Sequence, residues 1–170
     1  PYILRIADKT RNRQKKARYK FILAQLHERA GNNRKAVITY NEVVKLNPSY
    51  DMAFNAKINA ILGTDKKLSD AERKLRKLLK DDKNYDYRDR IYYALGVLQL
   101  KKEKKNLALE QFLLATSVPE SDRNIKALSY LEIAQIYFEK PNYLNAQAYY
   151  DSTMQFLDTR HEAYDDLKIK

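Results

Sequence analysis

The sequence predicts an all-α fold, arranged as an open array of short helical pairs. Only 3 Gly and 4 Pro occur among the 170 residues, and 32% of the residues are charged. Few residues therefore favour turns or strands, whereas the abundant Ala, Leu and Lys favour helix. A small residue also recurs at a nearly constant interval along the chain, which indicates an internal repeat.

Four alanines mark this repeat: Ala36, Ala71, Ala108 and Ala146, which are separated by 35, 37 and 38 residues. The interval is close to the period of about 34 residues that is typical of tetratricopeptide repeats. Around Ala71 the rest of the pattern is weaker, and we interpret this unit as degenerate. The spacing predicts a tetratricopeptide-repeat-like α-α superhelix of about four helix-turn-helix units.

The flanking residues of three units support this interpretation. Each has Leu or Ile followed by a small residue in the first helix, and an aromatic residue four positions after the marking alanine. The pairs and their aromatic partners are Leu23-Ala24 with Tyr40, Leu95-Gly96 with Phe112, and Ile133-Ala134 with Tyr150. A small residue lets the partner helix approach closely, and the ring fills the neighbouring gap.

The predicted organisation is a single repeat array over residues 1–170. Its units are about 14–48, 50–83, 85–119 and 122–158, and residues 159–170 are predicted to begin a further helix. The predicted helices are about 8–30, 33–46, 50–63, 67–80, 85–103, 105–118, 122–139 and 142–158. Because the pattern is interrupted at both ends of the sequence, we expect the chain to be a fragment of a longer protein.

The charge of the chain is basic and unevenly distributed. The 33 basic and 22 acidic residues give a net charge of +11. Residues 1–105 carry 27 basic and 12 acidic side chains, whereas residues 106–170 carry 6 basic and 10 acidic ones. This imbalance favours acidic partners, so a soluble basic adaptor for nucleic acid or another polyanion is an alternative function.

Two clusters concentrate the positive charge. The first cluster lies within residues 9–20, and its simpler interpretation is a solvated helix face. The second lies within residues 101–105 and is explained by the favourable position of cations at a helix C-terminus. The clusters are Lys9, Arg11, Arg13, Lys15, Lys16, Arg18 and Lys20 in the first case, and Lys101, Lys102, Lys104 and Lys105 in the second.

The candidate binding surface is the concave groove that first helices line in this kind of repeat. We predict that its outward-facing side chains recognise a protein partner by shape and charge. These are Arg18, Phe21, Gln25, Asn55, Asn59, Arg90, Tyr93, Val97, Leu131 and Gln135. The set lacks the recurring Lys and Asn of a carboxylate clamp, and it lacks the polar pairs at fixed positions that a base-reading array needs.

The residues do not predict an enzyme, a metal site or a cofactor site. The sequence has no Cys and two His, and no glycine-rich phosphate loop. We expect His27 to be packed and His161 to be exposed, and we interpret the pairs Asp81-Asp82 and Asp165-Asp166 as capping or solvated carboxylates. No stretch approaches the roughly 20 apolar residues of a membrane span, and residues 1–16 lack the features of a signal peptide.

Four segments carry a more specific resemblance, which covers most of the chain. They are ARYKFILAQL, NPSYDMAFNAKIN, DDKNYDYRDRIYYALG and SYLEIAQIYFEKPNYLNAQAYYDS. Together they resemble the PorW/SprE group of gliding-motility and type IX secretion accessory lipoproteins of Bacteroidetes. The resemblance implies a scaffold at the periplasmic face of the outer membrane, with partners in a secretion or motility complex. The lipidated Cys of such a protein is not in this sequence.

Overall fold

The computed structural model describes residues 2–64 and 67–158. The secondary structure of these residues is helical, without a strand, which confirms the predicted all-α class. A short 3₁₀ helix (Asp82–Tyr87) precedes α6. The α-helices are α1 (Tyr2–Lys9), α2 (Arg13–Arg29), α3 (Asn33–Lys45), α4 (Tyr50–Leu62), α5 (Leu68–Leu79), α6 (Arg88–Lys101), α7 (Lys105–Ser117), α8 (Arg123–Glu139) and α9 (Tyr143–Phe156).

The chain divides into two compact units, Pro1–Lys74 and Leu75–Lys170. Inside the first unit, α1 packs against α2, α2 against α3 and α3 against α4. Inside the second unit the same order holds from α6 to α9, and α6 also contacts α8. These consecutive helix pairs confirm the predicted tetratricopeptide-like packing, while the grouping into four repeat units stays a prediction.

The core of the first unit is built largely from alanines. Small side chains let neighbouring helices approach closely, and the ring of Tyr40 and the side chain of Val43 fill the space between them. The Tyr40 hydroxyl is buried with the ring and donates a hydrogen bond to Glu28 Oε2 at 2.8 Å. The buried cluster consists of Ala17, Ala24, Ala36, Tyr40, Val43, Ala56 and Ala60.

In the second unit, α6 and α7 approach each other closely at Gly96. A Cβ atom added to Gly96 of α6 would lie 2.5 Å from Cε1 and 2.7 Å from Cδ1 of Phe112 on α7. Such distances are far below van der Waals contact, so only glycine lets the ring occupy this position. Phe112 is fully buried together with Ala108, Ile133 and Ile136. The small residue and the aromatic residue predicted from the repeat pattern are therefore in direct contact here.

Two predicted helix boundaries are wrong. The predicted helix 8–30 is interrupted at residues 10–12, because the Asn12 side chain accepts a hydrogen bond from the Lys15 backbone N–H at 3.0 Å and starts α2 at Arg13. Residues 2–9 form the separate helix α1. The predicted helix 85–103 begins only at Arg88, since residues 82–87 are 3₁₀ helix. The predicted further helix at 159–170 lies outside the described residues.

The turn inside two helix pairs uses a left-handed residue. Gly31, between α2 and α3, has φ of 71°, and Glu103, between α6 and α7, has φ of 60°. Glycine adopts this conformation without steric cost. The turn glycine of the first unit was predicted from the repeat pattern, whereas the glutamate at the second turn has no such signal in its sequence.

Gly96→Ala tests the close contact between α6 and α7. Alanine is the better helix former, but its methyl group must displace the Phe112 ring, so we expect a loss of about 1 to 3 kcal/mol in the free energy of unfolding. Urea denaturation followed by circular dichroism measures it. Gln135→Ala, on an exposed position of α8, serves as the control and should change stability by less than about 0.5 kcal/mol. A Gly96→Ala protein as stable as the original would contradict this packing.

Candidate partner-binding surfaces

Helix α2 presents part of the predicted groove in the first unit. Arg18 and Gln25 lie on it two turns apart and are exposed. Phe21 is half-buried, and its ring meets the Tyr40 ring edge-on with centroids 5.5 Å apart. Phe21 therefore supports the core of the first unit, whereas Arg18 and Gln25 are available to a partner.

Helix α4 contributes two asparagines that are both half-buried. The Asn55 side chain donates a hydrogen bond to Asp51 Oδ2 at 3.3 Å on the same helix. Burial raises the pKa of the Tyr40 phenol and the Glu28 carboxylate adds to the rise, whereas the nearby Asn59 side chain acts in the opposite direction. Asn59 therefore lies close to the buried Tyr40 hydroxyl.

Arg90 is engaged inside the second unit. Its Nη2 atom lies 3.3 Å from Asp122 Oδ2, and its guanidinium lies 5.2 Å from the centroid of the Tyr87 ring. The neighbouring Asp89 is 2% exposed. It accepts hydrogen bonds from the Asp122 N–H at 2.8 Å and from the Ser121 hydroxyl at 3.1 Å. This polar cluster fixes the start of α6 against the segment that leads into α8.

Tyr93 and Val97 lie on α6 and cover the buried cluster around Phe112. The Tyr93 and Phe112 ring centroids are 5.6 Å apart. Burial raises the pKa of Tyr93 well above its ordinary value, and the nearby Glu132 carboxylate adds to the shift. Both residues are half-buried, so they form the floor of this surface and offer a partner little accessible area.

Helix α8 supplies the last two predicted residues. Leu131 is half-buried and packs on a second cluster formed by Ala127 and Leu157. Gln135 is exposed one turn further along the helix. Of the ten predicted residues, Arg18, Gln25 and Gln135 are therefore exposed, while the other seven also take part in packing or in hydrogen bonds.

The comparison with known families agrees with the geometry of α2 and α3. Residues 17–50 match the family model described as Tetratricopeptide repeat. They include the small residue Ala24, the marking Ala36 and the buried ring of Tyr40. The match supports the predicted tetratricopeptide-type packing of α2 and α3. A search of the curated proteins found no match to the chain.

Within residues 17–50, His27 occupies the position at which the repeat pattern has an aromatic residue after the pair Leu23-Ala24. The structure places His27 half-buried on α2, as expected for a packed histidine. Asp81 caps the 3₁₀ helix, because its Oδ1 accepts a hydrogen bond from the Lys83 N–H at 3.2 Å, which confirms its interpretation as a capping residue. His161, Asp165 and Asp166 lie outside the described residues.

The basic run at the start of α2 is partly used by the repeat itself. Arg13 donates a hydrogen bond to the Lys45 carbonyl at 3.2 Å, and Lys20 pairs with Glu42 Oε2 at 2.5 Å. Both contacts join α2 to the second half of α3. Lys15 and Arg18 are exposed on α2, in agreement with the prediction of a solvated helix face, whereas Arg11 lies in the interruption before this helix.

Glu132 is a groove residue that the sequence analysis missed. It is half-buried on α8 and interacts electrostatically with Tyr93 across from α6. Burial raises the pKa of its carboxyl group, and the negative charge of Glu139 acts in the same direction. Glu132 directly follows Leu131 and so lies at the edge of the predicted face. This adjacency is the only sequence feature that points to Glu132.

A cleft of about 540 Å³ in the second unit was also missed. Its walls come from the 3₁₀ helix, the first two turns of α6, the end of α7 and the residues directly after α7. The adjacent tyrosines of α6 thus have different roles, because Tyr93 covers the core and Tyr92 lines the cleft. The lining residues are Tyr85, Asp86, Arg88, Tyr92, Leu114, Ser117, Val118, Pro119 and Glu120.

Two further features bear on the predicted classes of function. Among residues 2–64 and 67–158, no group of three or more His, Cys, Asp or Glu side chains is placed to hold a metal ion. In the same part of the chain, no helix is both long enough and apolar enough to cross a bilayer.

Glu132→Gln tests how much the half-buried carboxylate of Glu132 lowers the stability of the folded protein. Because the folded-state pKa of Glu132 is raised, folding favours the protonated form, and the stability of the protein falls as pH rises through that pKa. The amide cannot ionise, so we expect a higher Tm than that of the original protein at pH 7 and nearly equal Tm values near pH 4. Thermal denaturation at several pH values measures this. Glu110→Gln, on an exposed position of α7, is the matched control, and equal effects of both substitutions would contradict the assignment.

Proposed function

We propose that the chain is a protein-protein interaction scaffold, and more specifically an accessory component of type IX protein secretion and gliding motility. The observation that carries the scaffold function is the tetratricopeptide-repeat match at residues 17–50, whose first helix exposes Arg18 and Gln25. Arrays of such repeats act as extended binding surfaces for other proteins. The more specific role rests on the resemblance of the four sequence segments to the PorW/SprE group.

Within each unit, recognition would use a preformed helical surface. The half-buried Phe21, Tyr93 and Leu131 are held by the cores of their own units, so a partner meets preformed contours. Rigid surfaces reduce the entropy lost on binding. The exposed Arg18, Gln25 and Gln135 would then supply directional polar contacts, and charge would mainly set the rate of association.

The structure also indicates which substitutions test binding without damage to the fold. Arg90 and Tyr93 hold neighbouring elements together, so their replacement would affect stability and binding at once. Arg18, Gln25 and Gln135 are exposed and contribute little to the core. They are the positions at which a loss of binding can be assigned to a lost contact.

Site-specific photo-crosslinking tests the proposal. A crosslinking side chain is placed at Arg18, Gln25 or Gln135, and a control is placed at Lys35 or Gln155, which are exposed on α3 and α9. The proteins are incubated with membrane and soluble fractions. We expect the first three positions to capture envelope secretion or motility proteins in a form that nuclease does not remove, and the control positions to capture at least about tenfold less, as for surface residues outside an interface.

Three outcomes would contradict parts of the proposal. Equal capture at the control positions would show that these surfaces are not the contact site. Capture of proteins unrelated to secretion or motility would leave the scaffold function and refute the type IX assignment. Nuclease-sensitive crosslinks to nucleic acid, weakened by salt as for phosphate contacts, would support the alternative of a basic adaptor for a polyanion.

A further inference from the structure

The second unit carries an exposed apolar and basic surface at one end of its helix pairs, which we call the turn edge. It comprises residues 101–107 around the turn between α6 and α7 and residues 138–144 around the turn between α8 and α9. Lys105 Nζ lies 2.6 Å from Glu139 Oε2, and Lys140 Nζ lies 2.5 Å from Asn106 Oδ1. These two contacts hold the turns side by side, so their exposed side chains belong to one surface.

The apolar side chains of the turn edge project into solvent. Leu107 is 42% exposed, Phe138 54%, Tyr143 61% and Leu144 81%. Phe138 and Tyr143 form an edge-to-face pair with ring centroids 5.5 Å apart. Scattered exposed apolar residues are common on proteins, but a group of four at one end of a helical unit indicates a surface that is covered in use.

Lysines lie in and beside the same two turns. The turn edge carries five of them, against the two carboxylates of Glu103 and Glu139, and so has a net positive charge. A shallow depression of about 360 Å³ at the turn between α6 and α7 is lined by Lys104, Lys105 and Leu107, together with Glu103 and Asn106. The five lysines are Lys101, Lys102, Lys104, Lys105 and Lys140.

The stability of the helices explains only part of this charge. Lys101 and Lys102 lie at the C-terminus of α6, where a cation is favourable, as predicted from the sequence. Lys104 and Lys105 occupy the N-cap and the first position of α7, where no side chain caps the helix and no acidic residue is present in the first turn. The helix dipole disfavours cations at this end, so both lysines weaken α7. The ion pair with Glu139 accounts for Lys105, whereas Lys104 needs another reason.

We propose that the turn edge is a docking surface for an anionic lipid bilayer. Protruding Phe, Tyr and Leu side chains suit the boundary between headgroups and acyl chains, which accepts them without a matching pocket. Lysines around them contact anionic headgroups, with their alkyl chains lying along the apolar side chains. A folded protein partner would instead need a cavity for a leucine that is 81% exposed. This surface contains none of the ten residues assigned to the partner-binding groove.

Vesicle sedimentation with the 170-residue chain tests the proposal. We expect the protein to sediment with vesicles of phosphatidylcholine and phosphatidylglycerol, to stay in the supernatant with phosphatidylcholine alone, and to be released by high salt. Leu144→Asp should weaken sedimentation at least about tenfold, since it removes an inserted group and adds a charge that anionic lipid repels. Leu113→Asp, at another exposed leucine of the second unit, is the matched control and should bind as the original protein does.

Lys104→Asp separates binding from folding. Aspartate is a favourable N-cap residue and complements the dipole of α7, so we expect a higher Tm together with weaker vesicle binding. Loss of binding therefore cannot be attributed to unfolding. No sedimentation with the anionic vesicles, equal sedimentation with neutral ones, or unchanged binding by Leu144→Asp would overturn the proposal. Binding of polyglutamate but not of vesicles would also overturn it, in favour of an acidic protein.

Discussion

The structure depends on one kind of contact, in which a small residue on the first helix of a pair faces an aromatic ring on the second. Gly96 and Phe112 show it most directly, because no side chain larger than hydrogen fits between the helix and the ring. In the first unit Ala24 and Tyr40 lie in the same buried cluster. Close approach lets short amphipathic helices, which would be marginal alone, bury a shared apolar surface.

Polar contacts then fix the ends of the pairs that the small residues bring together. The Tyr40 hydroxyl reaches the Glu28 carboxylate at 2.8 Å, so the buried ring does not leave an unpaired donor. In the second unit, Asp89 accepts hydrogen bonds from Ser121 and Asp122 and ties α6 to the start of α8. The exposed residues proposed for recognition are thus carried on helices whose relative positions inside each unit are well determined.

The sequence predicted the parts of the fold that follow from local spacing. The small residues, the rings and the turn at Gly31 recur at fixed intervals, and the pairs Ala24 with Tyr40 and Gly96 with Phe112 are buried together as the repeat pattern predicts. The third predicted ring, that of Tyr150, instead packs on Ala127 and Leu157. The break at residues 10–12 was missed because the helical pattern continues through it, and one side chain, that of Asn12, decides it.

The candidate site was harder to predict, since a spacing rule assigns a face but not a depth of burial. Tyr93 and Leu131 were expected to face outward, and the structure packs them against apolar clusters. The cleft beside Tyr92 could not be predicted, because its walls come from residues about thirty positions apart, Tyr85 and Arg88 on one side and Leu114 and Pro119 on the other.

A double-mutant cycle between Gly96 and Phe112 tests the central contact most directly. The free energies of unfolding of Gly96→Ala, Phe112→Leu and the double variant are compared with that of the original protein. If the ring and the glycine share one space, the added methyl group fits where the ring was, and the double variant is more stable than the sum of the single losses by about 1 kcal/mol or more. Additive losses would contradict direct contact and would remove the physical basis assigned here to the repeat pattern.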